Sequence, residues 1–257
     1  MNIINGEIMK NNILLYTDLA YEKNKFKEED ILIDKNNNVE VVKNKHYTTI
    51  FYNDIMNRNS FEIVCDIFIK ELKKYLDNIT NKKILVVGLG NINSTPDSLG
   101  PMTISKILVT GHLSSKKGFS NVYCFSPNVK ANTGLDSSRI IKSLVRDIKA
   151  DKLIIIDALK TNNMNRLAKT IQITDKGISP GSGINSNRLE ISKKLVGCDV
   201  VAIGIPTVVD IKALLKENDN YIVTPTNIDY LVERLSSLLA NGLNSSLHKN
   251  FIRQNNL

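Results

Sequence analysis

Residues 82–101 read KKILVVGLGNINSTPDSLGP, and residues 152–159 read KLIIIDAL. In the first stretch four apolar residues, Ile84 to Val87, run without interruption into Gly88 and Gly90. A short apolar run with no alternation, closed by glycines, reads as a strand buried on both faces that ends in a tight turn. The second stretch repeats the pattern and ends on an acid, Asp157. Similar strands are expected at NVYCFSP (121–127), at Ala168 to Ile173 and at CDVVAIGIPTVV (198–209). Helical spacing lies between them, at Met102 to Leu113 after Pro101, at Ser137 to Ile148 and at Ser186 to Leu195. Strands alternating with helices predict an α/β fold with a mostly parallel sheet and helices on both faces.

Outward from this centre the pattern changes. Residues 61–79 carry apolar positions at helical spacing, with Ser60 in the N-cap place, and a last helix is expected from Asn227 to Leu243. The first 60 residues are rich in Lys and Asn, with strand-like pieces at Ile31 to Ile33, Val39 to Val42 and Tyr47 to Tyr52. The expected organisation is therefore a β-rich extension over residues 1–60 and one compact α/β unit over 61–257. A chain of 257 residues favours one large domain. An apolar share of 42% beside 23% charged residues excludes general disorder. The apolar runs are too short for a helical membrane span, and the opening MNIINGEIMKNN has no charged leader before an apolar core.

The formal charge of +8 is spread among many asparagines with no clustered basic stripe, so no direct nucleic-acid partner is expected. Cys65, Cys124 and Cys198 stand far apart with no C-x-x-C, which reads as reduced, buried thiols of a cytoplasmic protein. GLGNIN opens like a dinucleotide loop but lacks the third glycine. The chain has no G-x-S-x-G, Walker or H-E-x-x-H motif, and His46, His112 and His248 fall in unrelated places. No cofactor and no metal are expected.

Carboxylate chemistry remains. Asp97, in NSTPDSLGP, and Asp157 both follow buried strands, and loops at the carboxyl ends of parallel strands share one rim where ligands bind. Two acids close together there would share one proton, with one carboxylate activating water and the other protonating a leaving nitrogen. Asp97 reads equally as the N-cap of the next helix, and Asp210, closing IPTVVD, as a supporting acid or cap. Gly88, Gly90 and Asn91 in the first turn, and Gly181, Ser182 and Gly183 in PGSG, are candidates for substrate or oxyanion contact, or else plain turns. Ser182 has no base in view for a role as nucleophile.

GLGNINSTPDSLGP, ANTGLDSSRIIKSLV, LIIIDAL, TIQITDKGISPGSGINSNR and VVAIGIPTVVD, in this order and spacing, resemble the germination proteases of spore-forming bacteria. YTDLAYE and IVTPTNIDYLVERLSSLLANGLNSSLH extend the resemblance towards both ends. It implies a three-layer α/β/α sandwich like that of hydrogenase-maturation proteases. It also implies an atypical aspartic endopeptidase in the spore-core cytoplasm, whose two essential acids fall on Asp97 and Asp157. Its substrates would be small acid-soluble spore proteins, cut after an acidic residue during germination. The enzyme would be a homotetramer made as a zymogen, with residues 1–60 holding the propeptide and the processed bond at Asp18–Leu19. Some positions depart from the family pattern: Tyr16, Ile92, Asp136-Ser137-Ser138-Arg139 and Ser179, and a bridge of only IKALLKENDNYI (211–222) before V-T-P. The alternatives are a non-catalytic paralogue that binds spore proteins and a metal-dependent maturation protease on the same fold.

Overall fold

The computed structural model describes residues 3–4, 7–10, 13–22, 32–36, 39–77, 79–113, 119–179, 189–210 and 221–251. Its centre is the predicted pair of apolar strands. β7 (Lys83–Gly88) and β9 (Lys152–Thr161) lie side by side and parallel, Leu85 opposite Leu153 and Gly88 opposite Ile156. β8 (Asn121–Phe125) adds parallel to the outer edge of β7, and β11 (Asp199–Asp210) parallel to the other side of β9. Beyond β11 the sheet turns antiparallel through β10 (Thr170–Thr174), β6 (Tyr47–Tyr52), β5 (Val39–Lys43) and β4 (Leu32–Asn36). The strand-like pieces near residue 40 and residue 50 thus continue the main sheet. A short β12 (Ile222–Val223) pairs with the end of β11. The segments β1 (Ile3–Ile4), β2 (Glu7–Lys10) and β3 (Ile13–Tyr16) pair among themselves.

Alternation along the central strands builds three layers. Ile84, Val86, Ile154, Ile156, Val201 and Ile203 face one side, where α1 (Arg58–Lys73), α2 (Leu99–Ile104) and α6 (Ile228–Leu247) cover them. Leu85, Val87, Leu153, Ile155, Val200 and Ala202 face the other, against α4 (Ser137–Ile148), which follows the short α3 (Lys130–Thr133), and against α5 (Lys193–Val196). Successive side chains of a strand point to opposite faces, so an unbroken apolar run is what a sheet covered on both sides requires. α1 and α6 meet closely because Gly242 leaves room for Phe68, which is fully buried. Among the described residues no helix is long and apolar enough to cross a membrane.

Three expected helices differ. α1 begins three residues early, because Asn57, not Ser60, caps it: the Asn57 side chain accepts the Ser60 N–H at 2.8 Å. The helix expected over 102–113 is α2, which stops at Ile104. The Asn244 carboxamide on α6 takes the Leu108 N–H at 2.9 Å and donates to the Lys106 carbonyl at 3.0 Å. Thr110 and Gly111 then bond to Val122 on β8, so tertiary partners replace the helical ones. Of the helix expected over 186–195, α5 forms only the end, and residues 186–188 lie outside the described ones.

Candidate active site

The loop after β7 is shaped by two close approaches. A Cβ on Gly88 would lie 2.3 Å from the Gly100 carbonyl, so only glycine lets the start of α2 sit against the strand end. Gly90 has φ +114°, a backbone state that side chains disfavour, and a Cβ there would collide with the Asp97 carbonyl. The Asn91 N–H donates to both the Asp97 carbonyl (3.1 Å) and Asp97 Oδ2 (3.0 Å), which closes residues 91–97 into a compact loop. Asp97 itself ends a single 3-10 turn, Thr95–Asp97, built on Pro96. Its carboxylate therefore holds its own loop rather than capping a helix: the α2 N-cap is Ser98, which makes no side-chain capping bond.

Asp157 is placed by the sheet. The Leu89 N–H donates to the Ile156 carbonyl at 2.8 Å, which carries the β7–β9 pairing one step past the end of β7. Asp157 is the next residue of β9, opposite Gly204 of β11, and is 7% exposed. Its Oδ1 accepts the Ala158 N–H at 3.0 Å. Asp97 and Asp157 line the same cleft, of about 300 Å³, together with Gly90, Lys160 and Ser137. Gly88 and Asn91 shape the loop beside this cleft without lining it. Gly181, Ser182 and Gly183 lie outside the described residues.

Asp210 forms a buried ion pair with Lys160, Nζ to Oδ2 3.1 Å, and Lys160 lines the cleft. A charge of either sign is tolerable at such depth only with a close partner. Among the described residues no histidine or cysteine lines the cleft. Burial pushes the Cys124 thiol up to about 12, and burial, with Asp199 and Asp151 nearby, pushes Cys198 to about 11, so both stay protonated and inert. His46 faces Asp175 at 2.9 Å, and the buried His248 bonds the Leu108 carbonyl through Nε2. Among the described residues no group of three or more His, Cys, Asp or Glu is arranged to hold a metal ion.

Asp18 also lines the cleft. Its N–H donates to the Lys160 carbonyl and its Oδ2 accepts the Lys160 N–H, both at 2.9 Å. Leu19 beside it is fully buried, and the Ala20 N–H donates to Gln172 Oε1 at 2.7 Å. The segment around the bond predicted to be processed is thus bound to the end of β9 and the middle of β10. The family resemblance marked Asp18 but not its host. Lys160 carried no signal, because a lysine inside LIIIDALKT looks like the exposed end of a strand.

The germination protease family model matches residues 10–222. The germination protease of Oceanobacillus iheyensis is 40% identical over 188 residues, 69% of this chain and 51% of that protein. That of Clostridium acetobutylicum is 34% identical over 244 residues, 75% of each chain. The chain spans about half the length of the Oceanobacillus and Geobacillus relatives it matches. Among solved structures, the [NiFe] hydrogenase maturation protease HycI of Thermococcus kodakarensis aligns with TM-score 0.40 at 17% identity, covering 67% of this chain and 98% of that one. The hydrogenase maturating endopeptidase HybD of E. coli aligns with TM-score 0.33 at 15% identity, covering 64% and 93%. The family match runs through β7, β9, β10 and β11 and includes both Asp97 and Asp157, and by it the chain belongs to the germination protease family.

Proposed function

We propose that the protein is an endopeptidase in which Asp97 and Asp157 share one proton and cleave a peptide bond after an acidic residue. The observation that carries this reading is the common cleft: it is lined by both acids and by Asp18, the residue before the bond expected to be processed. In the reaction the ionised carboxyl takes a proton from water while the water oxygen bonds to the carbonyl carbon. The protonated carboxyl gives its proton to the amide nitrogen as the C–N bond breaks, leaving a new carboxyl and a new amine. Asp157 is buried within its strand, whereas Asp97 is half-buried and bound to its own loop. The same chemistry applied to the chain's own Asp18–Leu19 bond is the proposed processing step. Family membership supports the rest of the reading: small acid-soluble spore proteins as substrates during germination, a spore-core location and a homotetramer.

The test is cleavage of a synthetic peptide with the sequence of residues 14–26, LLYTDLAYEKNKF, followed by mass spectrometry. The unaltered chain cuts between Asp and Leu. Asp97→Asn and Asp157→Asn keep the side-chain shape but remove the titratable group, and each lowers the rate by about 10²–10⁴. A rate equal to that of the unaltered chain in either variant removes that residue from the mechanism.

A further inference from the structure

Along the sequence the lysines look scattered, but the topology gathers many of them at one end of the sheet, the end away from the cleft. The parallel strands β7, β9 and β11 start together there, with Lys83 leading β7 and Lys152 leading β9 opposite Asp199. β10, β6 and β5 follow as antiparallel neighbours, so the exit of β10 and the β5–β6 hairpin reach the same end and bring Lys176, Lys43 and Lys45. α1 and α4 also finish there. The Lys152 ammonium donates to the Tyr75 carbonyl just past α1 at 2.7 Å, and that of Lys83 to the Ile148 carbonyl at the close of α4 at 3.1 Å. These two lysines offset the negative ends of both helix dipoles.

Most acids at this end are engaged. Glu71 is buried between Lys43 (2.9 Å) and Lys74 (2.8 Å), and Lys193 holds Asp199 at 2.7 Å. His46 holds Asp175, and the Asp151 carboxylate accepts the Lys83 N–H at 2.8 Å. Asp77 is exposed. Lys45, Lys73, Lys82, Lys149, Lys176 and Lys194 make no ion pair with a described residue, and all but the half-buried Lys82 are exposed. Over the rest of the described chain acids outnumber bases, so the positive charge of the molecule is concentrated here.

From the β5–β6 hairpin to β7 this surface crosses five strand-to-strand spacings, about 24 Å at about 4.8 Å each. That matches about seven base pairs of duplex DNA, at about 3.4 Å per phosphate along one strand. The six unpaired cations are all lysines, which meet phosphates as point charges, with no arginine fork of the kind that reads a base edge. The turns at 44–46, 79–82, 149–151 and 175–177 expose no large apolar side chain, whereas a stable protein interface or membrane insertion needs apolar anchors. Asp157 lies five residues along β9 from Lys152, about 17 Å away.

We propose that this lysine surface binds the phosphate backbone of duplex DNA without sequence preference. The inference goes beyond the reading of the cleft and does not depend on it.

The probe is a fluorescently labelled duplex of about 20 base pairs and mixed sequence, with anisotropy read between about 25 and 200 mM KCl. Binding to the unaltered chain should fall with salt at a log–log slope of about −5, as six phosphate contacts at about −0.9 each require. Combining Lys45→Gln, Lys82→Gln and Lys194→Gln removes half of the unpaired lysines. The slope should then fall to about −3 and the affinity at low salt by at least tenfold. Combining Arg58→Gln, Arg139→Gln and Lys169→Gln removes the same charge from exposed positions outside this surface, and the affinity should stay within twofold. Equal losses in the two variants would assign binding to net charge alone and overturn the proposal. No measurable binding at the lowest salt would overturn it too. So would polyglutamate of matched charge, or anionic vesicles, binding the unaltered chain as tightly as the duplex, which would make an acidic polypeptide or a membrane the partner. The triple lysine variant should cleave LLYTDLAYEKNKF like the unaltered chain. DNA binding without any cleavage refutes the peptidase reading alone, and cleavage without DNA binding refutes this surface alone.

Discussion

Gly90→Ala tests whether the Asp97 loop must sit where it does. A Cβ at this position would lie 1.9 Å from the Asp97 carbonyl oxygen and 3.1 Å from Asp97 Oδ1. Ordinary van der Waals contact begins at about 3.4 Å, so the carbonyl and the residue that carries it must retreat by about 1.5 Å. The φ of +114° adds its own cost, since it lies beyond even the left-handed helical region that other residues sometimes enter. Backbone strain of this kind is worth about 1–3 kcal/mol. For a domain of this size that corresponds to a fall in Tm of roughly 2–12 °C, which leaves the protein folded at 25 °C. The effect on catalysis is larger in proportion, because a misplacement of about 1 Å in a reacting group can cost 10²-fold. The expected result is peptide cleavage slowed by about 10²-fold or more, with a modest loss in Tm and an unchanged far-ultraviolet circular dichroism spectrum. Thermal melts and initial-rate measurements on one preparation decide it. An alanine variant that melts and cleaves like the unaltered chain would mean that the loop tolerates the shift, and that its packing against Gly90 does not position the acid.

Two further outcomes follow from local geometry. Asn57→Ala should destabilise the fold by about 1 kcal/mol, because it removes the acceptor for the Ser60 N–H, whereas Ser60→Ala should change stability by no more than a few tenths; urea denaturation of the two variants separates them. Burial lowers the pKa of His248 below its usual 6.5, with the bond to the Leu108 carbonyl opposing that shift only partly, so the unfolded chain binds the proton more readily. Stability should therefore fall as pH drops below about 6.5, by up to about 1.4 kcal/mol per pH unit from this one group; Tm measured between pH 7.5 and 5 should fall less steeply in His248→Leu than in the unaltered chain.

The central sheet was legible because its signal is strong and local. ILVV and LIIID can only be satisfied by burial on both faces, and their alternate residues do fill the two cores. Helix ends were less legible because tertiary partners decide them. Asn57 outcompetes Ser60 as a cap by offering its side chain to Ser60 itself, and α2 ends where Asn244, 140 residues beyond Ile104, captures the next backbone groups. No window of neighbouring residues contains that information. The strands near residues 40 and 50 were visible as strands, but their attachment to β10 was not. β6 reaches it from about 120 residues away, and pairing between distant strands leaves no mark in either one.

The candidate site divides along the same line. Asp97 and Asp157 could be singled out because topology alone sends the ends of adjacent parallel strands to one rim. Lys160 and Arg166 could not, since each is bound to an acid of a segment more than a hundred residues earlier. What connects the two groups is β9. Its residue 157 supplies an acid to the cleft, its residue 160 holds Asp18 through the main chain, and its last residue, 161, holds Glu22. Side chains alternate across the sheet, but main-chain groups lie in its plane. One rigid strand can therefore carry a side chain into the cleft and hold the N-terminal segment at a fixed offset from it. A buried strand at the centre of a sheet holds that offset more firmly than a loop could.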